Sequence, residues 1–142
     1  LAIAEYLAAQ FPAEQLWPGD VYARAQARSA CAQMHSGFFA MRNHMPFNLS
    51  HDAPLNPVPP EVKVDIERML ALWAECRAAA TEPGPYLFGR VSLADAFFAP
   101  IAVRLRTYQV PLPAVDQAYV ETVYQWPAFK AWQKAGLEEL NP

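Results

Sequence analysis

Residues 89–100, GRVSLADAFFAP, put one carboxylate, Asp95, inside an otherwise apolar stretch. Two chemistries suit an acid there. A buried carboxylate can serve as a general acid or base. Ser92-Leu-Ala-Asp95 also has the S/T-x-x-acid spacing of a capping box, in which the serine oxygen accepts from the Asp95 N–H and the carboxylate reaches back to the Ser92 N–H. Capping accounts fully for the spacing. Donors left unpaired in a core would cost ~1–3 kcal/mol each, so a buried box weighs more than a surface cap.

A second group of chemistry-bearing residues follows Asp20. Arg24, Arg28, Cys31, His35 and Arg42 recur at helical spacing and form a partly cationic stripe. Met34, Phe38, Met41 and Met45 form an apolar stripe beside it. Side by side, the two could line a mixed cleft, or they could be a solvated face and a packed one. His35, His44 and His51 lack the close spacing of a zinc site, and no metal is expected. The two cysteines, Cys31 and Cys76, form no C-x-x-C pair, which reads as reduced thiols in a cytoplasmic protein.

The elements that must position these groups are helical. Asp20 caps a long helix expected to run to Met45-Pro46. Residues 46–60, PFNLSHDAPLNPVPP, are too rich in proline for regular structure and read as an ordered excursion or lid. Pro59 or Pro60 opens the next helix, where Val62, Ile66, Met69, Leu70, Trp73 and Cys76 form the apolar face and Glu61, Lys63, Asp65, Glu67 and Arg68 fill the other positions. The helix after Ser92 contains Pro100, and Arg104, Arg106 and Tyr108 emerge near its end. A short helix with Ala118, Tyr119 and Val123 follows, then one opened by Pro127 with Phe129 and Trp132 on its apolar side. No stretch alternates at period two, so the fold class is all-α.

Composition narrows the partners. The 142 residues are 54% hydrophobic and 18% charged, enough for one well-packed domain. A net charge of −3 leaves no basic surplus for nucleic acid or an anionic membrane. No apolar run reaches the ~20 residues of a membrane span. The chain opens within a helical pattern (Leu1, Ile3, Ala4, Leu7, Phe11), as if residues that this helix packs against lay upstream.

Four segments together carry a family resemblance: LAIAEYLAAQFP with LWP, ARAQARSACAQMHSGFFAMRN, GRVSLADAFFAP and WPAFKAWQ. The chain resembles the C-terminal helical domain of a cytosolic glutathione transferase, in a bacterial branch close to the zeta-like and serine-type enzymes. The resemblance implies a helical bundle over residues 18–142. It makes residues 1–17 the last helix and linker of a thioredoxin-like domain that is otherwise mostly missing. Such enzymes bind glutathione, their co-substrate, in that other domain, where a serine, tyrosine or cysteine stabilises the thiolate. No catalytic residue of that site carries over, so the chain alone is expected to be inactive. What the resemblance places here is the pocket for a small electrophile, around Met34, His35, Phe38, Arg42, Arg104 and Tyr108, and part of a homodimer interface. It implies conjugation or isomerisation of electrophiles in detoxification. Those six residues have plainer uses too: Met34 and Phe38 as core, His35 as a hydrogen-bonded helix-face residue, Tyr108 as a packed aromatic. A non-catalytic docking module or a ligand-binding protein is the alternative.

Overall fold

Prolines and capping acids set where helices begin in the computed structural model, which describes residues 1–140. Helix α1 spans Ala2–Gln10 and is followed by a 3-10 turn at Pro12–Glu14. Helix α2 spans Val21–Ser36, and the Asp20 carboxylate accepts from the Ala23 N–H at 2.8 Å. A six-residue helix, α3, covers Phe39–His44. Helix α4 spans Pro60–Ala78 with Pro59 at its cap, α5 spans Leu93–Thr107, α6 spans Ala114–Gln125 and α7 spans Pro127–Leu140. Among the described residues there is no strand, only isolated bridges at Tyr86–Gly89 and Phe88–Arg90, and the fold is all-α. No described helix is long and apolar enough to cross a membrane.

Helix α5 is the centre. Ala99, Ile101, Ala102, Val103 and Leu105 are all buried, so this helix is apolar on nearly every side and must be surrounded. Helices α2 and α6 pack against it, and α4 packs against α2 and α3. Trp73 from α4 meets Phe98 of α5 and Tyr119 of α6 edge to face, at 6.1 and 4.7 Å between ring centroids.

The long helix expected from Asp20 to Met45 is broken, which corrects the sequence reading. Gly37 is extended (φ −126°, ψ −168°) and Phe38 sits in the left-handed region (φ 59°, ψ 40°) before α3 restarts the chain. A Cβ on residue 37 would lie 2.8 Å from the Gln33 carbonyl oxygen, so glycine permits this close turn. A non-glycine residue in the left-handed region costs ~1–2 kcal/mol. Burial of the Phe38 ring, worth ~1.5–3 kcal/mol, offsets it. Across the chain, the Asp65 carboxylate accepts from the Met41 N–H at 3.1 Å and caps α3 from outside. The two stripes expected along one helix therefore do not exist as continuous faces, and Cys31 is core rather than part of a polar stripe.

Asp65→Ala is expected to cost ~1–3 kcal/mol, because it leaves the buried Met41 N–H unpaired. Urea denaturation checks the loss, and hydrogen exchange at Met41 should rise with it.

The apolar face of α1 is mostly open: Ala4 is buried, while Ile3 is 77% exposed. What holds α1 is a two-pronged ion pair, with Arg28 Nε and Nη2 donating to the Glu5 carboxylate at 2.6 and 2.8 Å. The Arg28 guanidinium also lies 5.4 Å from the Trp17 ring centroid. The hydrogen bond from Arg28 holds the Glu5 carboxyl below its ordinary value. A lowered folded-state pKa means that this stabilisation is present above the ordinary carboxylate pKa and lost as pH falls through the lower folded value. Protection of the α1 amides, taken relative to their intrinsic exchange rate at each pH, should therefore be present near neutrality and fall selectively in acid, and Glu5→Gln should abolish that dependence.

Candidate functional site

Asp95 is fully buried and belongs to the frame rather than to an open site. Its Oδ2 accepts from the Ser92 N–H at 2.8 Å and the Ser92 hydroxyl at 3.2 Å. Its Oδ1 accepts from the Leu87 N–H at 3.2 Å and the Tyr119 hydroxyl at 3.1 Å. The Ser92 hydroxyl oxygen in turn accepts from the Ala94 N–H at 3.3 Å, and the reciprocal capping box is formed. Burial pushes the Asp95 carboxyl upward, and the donors from Leu87, Ser92 and Tyr119 pull it back.

The residues expected around an electrophile divide into two groups. Arg42 donates to the Met34 and His35 carbonyls, which ties Met34, His35 and Arg42 together at the end of α2. Its Nε is buried without a hydrogen-bond partner. His35 is exposed, Met34 is half-buried, and Phe38 lies in the core with the Arg68 guanidinium 5.2 Å from its ring centroid. Arg104 and Tyr108 make the second group, at the end of α5. Arg104 donates to the carbonyls of Met45 at 2.8 Å and Pro100 at 3.0 Å. The Tyr108 hydroxyl donates to the Pro46 carbonyl at 3.3 Å. Met45 closes α3, so α3 brings the two groups to one corner.

The segment 46–60 packs over that corner. His51 stacks on the Tyr108 ring at 4.0 Å, and the Ala53 N–H donates to the Thr107 carbonyl at 3.2 Å. One groove borders it, and a second lies on the other side of α5 residues 96–100. A groove of about 500 Å³ runs between this segment, α4 and the end of α5, lined by Leu55, Val58, Ile66, Tyr108 and Val110 among others. Of the six expected pocket residues, Tyr108 alone reaches it. A smaller groove of about 210 Å³ lies between α5 and α7, lined by Ala96, Ala99, Pro100, Phe129 and Trp132 among others.

Sequence reasoning missed Phe47 and Trp132 as site residues. The Phe47 ring lies 5.6 Å from the Arg104 guanidinium and 5.8 Å from the Trp132 ring, which forms an aromatic shelf beside the cationic corner. No spacing rule joins positions 85 residues apart, so only the fold pairs them.

Neither cysteine adds a nucleophile. Burial pushes both thiols up to about 12, and no thiolate forms near neutral pH. Among the described residues, no three or more His, Cys, Asp or Glu side chains gather as a metal site.

The class of protein defined here is an all-helical domain built around a buried Ser-Asp clasp, with an apolar groove between α5 and α7. Residues 21–135 match the family described as "Glutathione S-transferase, C-terminal domain", and the chain belongs to that family. Comparison with curated proteins finds no match.

Proposed function

We propose that the chain is the electrophile-binding and dimerisation domain of a glutathione transferase of the zeta-like or serine-type branch, acting in the cytoplasm. Residues 1–17 are then the last helix and linker of its thioredoxin-like domain. Membership of the family over residues 21–135 is the observation that carries this reading. The chemistry agrees, because two thiols pushed to about 12 leave glutathione itself to supply the thiolate.

In that reaction the glutathione sulfur attacks an electrophilic carbon held by this domain. With an aryl halide, the C–S bond forms, the halide leaves with the electron pair, and the thiol proton passes to solvent. With a cis-alkene, the sulfur adds, the carbon–carbon bond rotates, and the sulfur leaves. Helices α2, α3 and α5 contribute orientation, through Met34, Arg42, Arg104 and Tyr108 with Phe47 and Trp132. His35 stands at the rim, and Phe38 supports α3 from below. Homodimerisation uses the exposed small side chains of α2 and α4, among them Ala25, Ser29, Ala32 and Ala71.

The test is turnover. A full-length parent protein should convert an aryl halide or a cis-enoate in the presence of glutathione, while the 142-residue chain gives none above background. A parent inactive with glutathione, or turnover by the isolated chain, overturns the reading.

A further inference from the structure

Arg28, Arg68, Arg77 and Arg106 each pair with a carboxylate, whereas Arg24, Arg42, Arg90 and Arg104 have no acidic partner among the described residues. Arg24 shares with Arg28 the wall of a cleft of about 530 Å³, which lies between α1, the 11–19 connection and α2. The two arginines stand at i and i+4 on α2 and so present to one face. Arg28 spends its Nε–Nη2 edge on the Glu5 carboxylate, at 2.6 and 2.8 Å. Arg24 keeps the same edge open. Its Nη1 donates to the carbonyls of Pro18 at 3.4 Å and Gly19 at 3.1 Å, while its Nε and Nη2 make no hydrogen bond among the described residues. The backbone thus anchors the guanidinium, and the fork that fits a carboxylate is left without one.

The remaining walls agree. Glu5, Arg24 and Arg28 are the charged lining residues, a surplus of one positive charge in a chain of net charge −3. Asp20, four residues before Arg24, is spent on the Ala23 N–H. Trp17 lines the cleft at 5% exposure. Its indole N–H is buried without a hydrogen-bond partner and is turned toward Glu5, whose carboxyl is held low by the Arg28 hydrogen bond first and by Trp17 in smaller part. Donors therefore outnumber acceptors around a single carboxylate. Ala8, Ala9, Pro12, Leu16 and the Trp17 ring set apolar surface beside those donors. None of the six residues expected around an electrophile lines this cleft, and His35 stands eleven residues beyond Arg24 on α2, about 16 Å along the helix axis.

We propose that this cleft binds a small organic carboxylate, its two oxygens on the Nε–Nη2 edge of Arg24 and its body against Pro12, Leu16 and the Trp17 ring. Glu5 on Arg28 is the chain's own example of the same contact, one turn further along the helix. The site is independent of the transferase reading. Phosphate offers oxygens to the same fork but has no apolar body, so the apolar wall selects an organic acid. Arg24 is half-buried, which leaves the contact open to screening by salt.

Titration of the nitrogen-15-labelled 142-residue chain with benzoate, followed by the four tryptophan indole signals and by calorimetry, tests the site without any turnover. Benzamide, which has the same shape and no charge, and inorganic phosphate are run in parallel. Benzoate should shift the Trp17 indole and the Gly19 amide and leave Trp126 and Trp132 in place. It should bind about fivefold or more tighter than benzamide, with the gap narrowing as salt is added. Arg24→Gln should bring benzoate down to the benzamide level. Glu5→Gln should instead tighten benzoate by about twofold or more, because it removes a like charge from the wall and keeps an oxygen for Arg28. Far-UV circular dichroism and amide protection in α1 report whether each variant keeps its fold, and the comparison of benzoate with benzamide on the unmodified chain decides the matter if one does not. Equal affinity of benzoate and benzamide overturns the proposal, as do shifts confined to Trp126 and Trp132. Benzoate binding unmoved in folded Arg24→Gln, or weakened in folded Glu5→Gln, overturns it as well. Displacement of benzoate by phosphate at similar concentration would show an unselective anion patch and overturn it too.

Discussion

Asp95→Ala is expected to remove a large part of the chain's folding stability. The substitution orphans the N–H groups of Leu87 and Ser92 and the hydroxyl of Tyr119, all at a site with no solvent. At ~1–3 kcal/mol for each unmet donor, the loss is several kcal/mol. Total stabilities of ordinary domains are about 5–15 kcal/mol. Relief from burying a carboxylate returns part of the loss, because burial is the largest influence on Asp95 and opposes its charge. It does not restore a partner to any donor. Asp95→Asn should be milder, since one oxygen can still serve Leu87 and Tyr119 while the new amide group faces the Ser92 N–H. Urea denaturation followed by circular dichroism ranks the three proteins. An alanine variant with an unshifted midpoint would show that the clasp contributes nothing.

The second large effect lies in the loop that feeds this clasp. Gly89 has φ +87°, and a Cβ there would stand 2.2 Å from the backbone oxygen of Glu82. Its N–H donates to the Tyr86 carbonyl at 3.0 Å, and its carbonyl accepts from the Tyr86 N–H at 3.2 Å. This small closed turn presents the Leu87 N–H to Asp95. Gly89→Ala should cost about 2–5 kcal/mol, the sum of a strained backbone and a clash that no flexible side chain can relieve. Calorimetry should show the melting temperature falling by roughly 5–15 °C. Gly19→Ala is the control, because nothing lies within 4 Å of the added carbon, and it should stay within about 0.5 kcal/mol of the parent.

Helix starts were legible in the sequence because their signals are local. Asp20, Pro59-Pro60, Ser92 and Pro127 each act on a backbone within one turn of themselves, and each opens a helix. The break at Gly37-Phe38 was not legible. Its only local sign is one glycine, and what stabilises the restart is Asp65, which lies 24 residues beyond its partner Met41. Asp65 reads as a solvent-facing acid between Val62 and Met69, yet it is buried. Asp116 hides in the same way, paired with Arg77 at 2.8 Å. The candidate site divides along the same line. Arginines and aromatics at helix ends can be named from sequence, but which of them share a corner depends on how α3 is turned. Residues 141 and 142, which the sequence reading placed within the helical domain, lie outside the described residues.

The deep placement of Cys31 and Cys76 matters for any protein that gathers reactive carbon compounds. A surface thiolate is open to alkylation by any such compound. Here the soft nucleophiles are walled off, and only three lysines, Lys63, Lys130 and Lys134, remain among the amines of the side chains. The cavity at Trp132 has none of them on its walls, whereas Lys63 lines the larger groove. A single cysteine introduced at the surface would therefore be the one site that a maleimide dye labels.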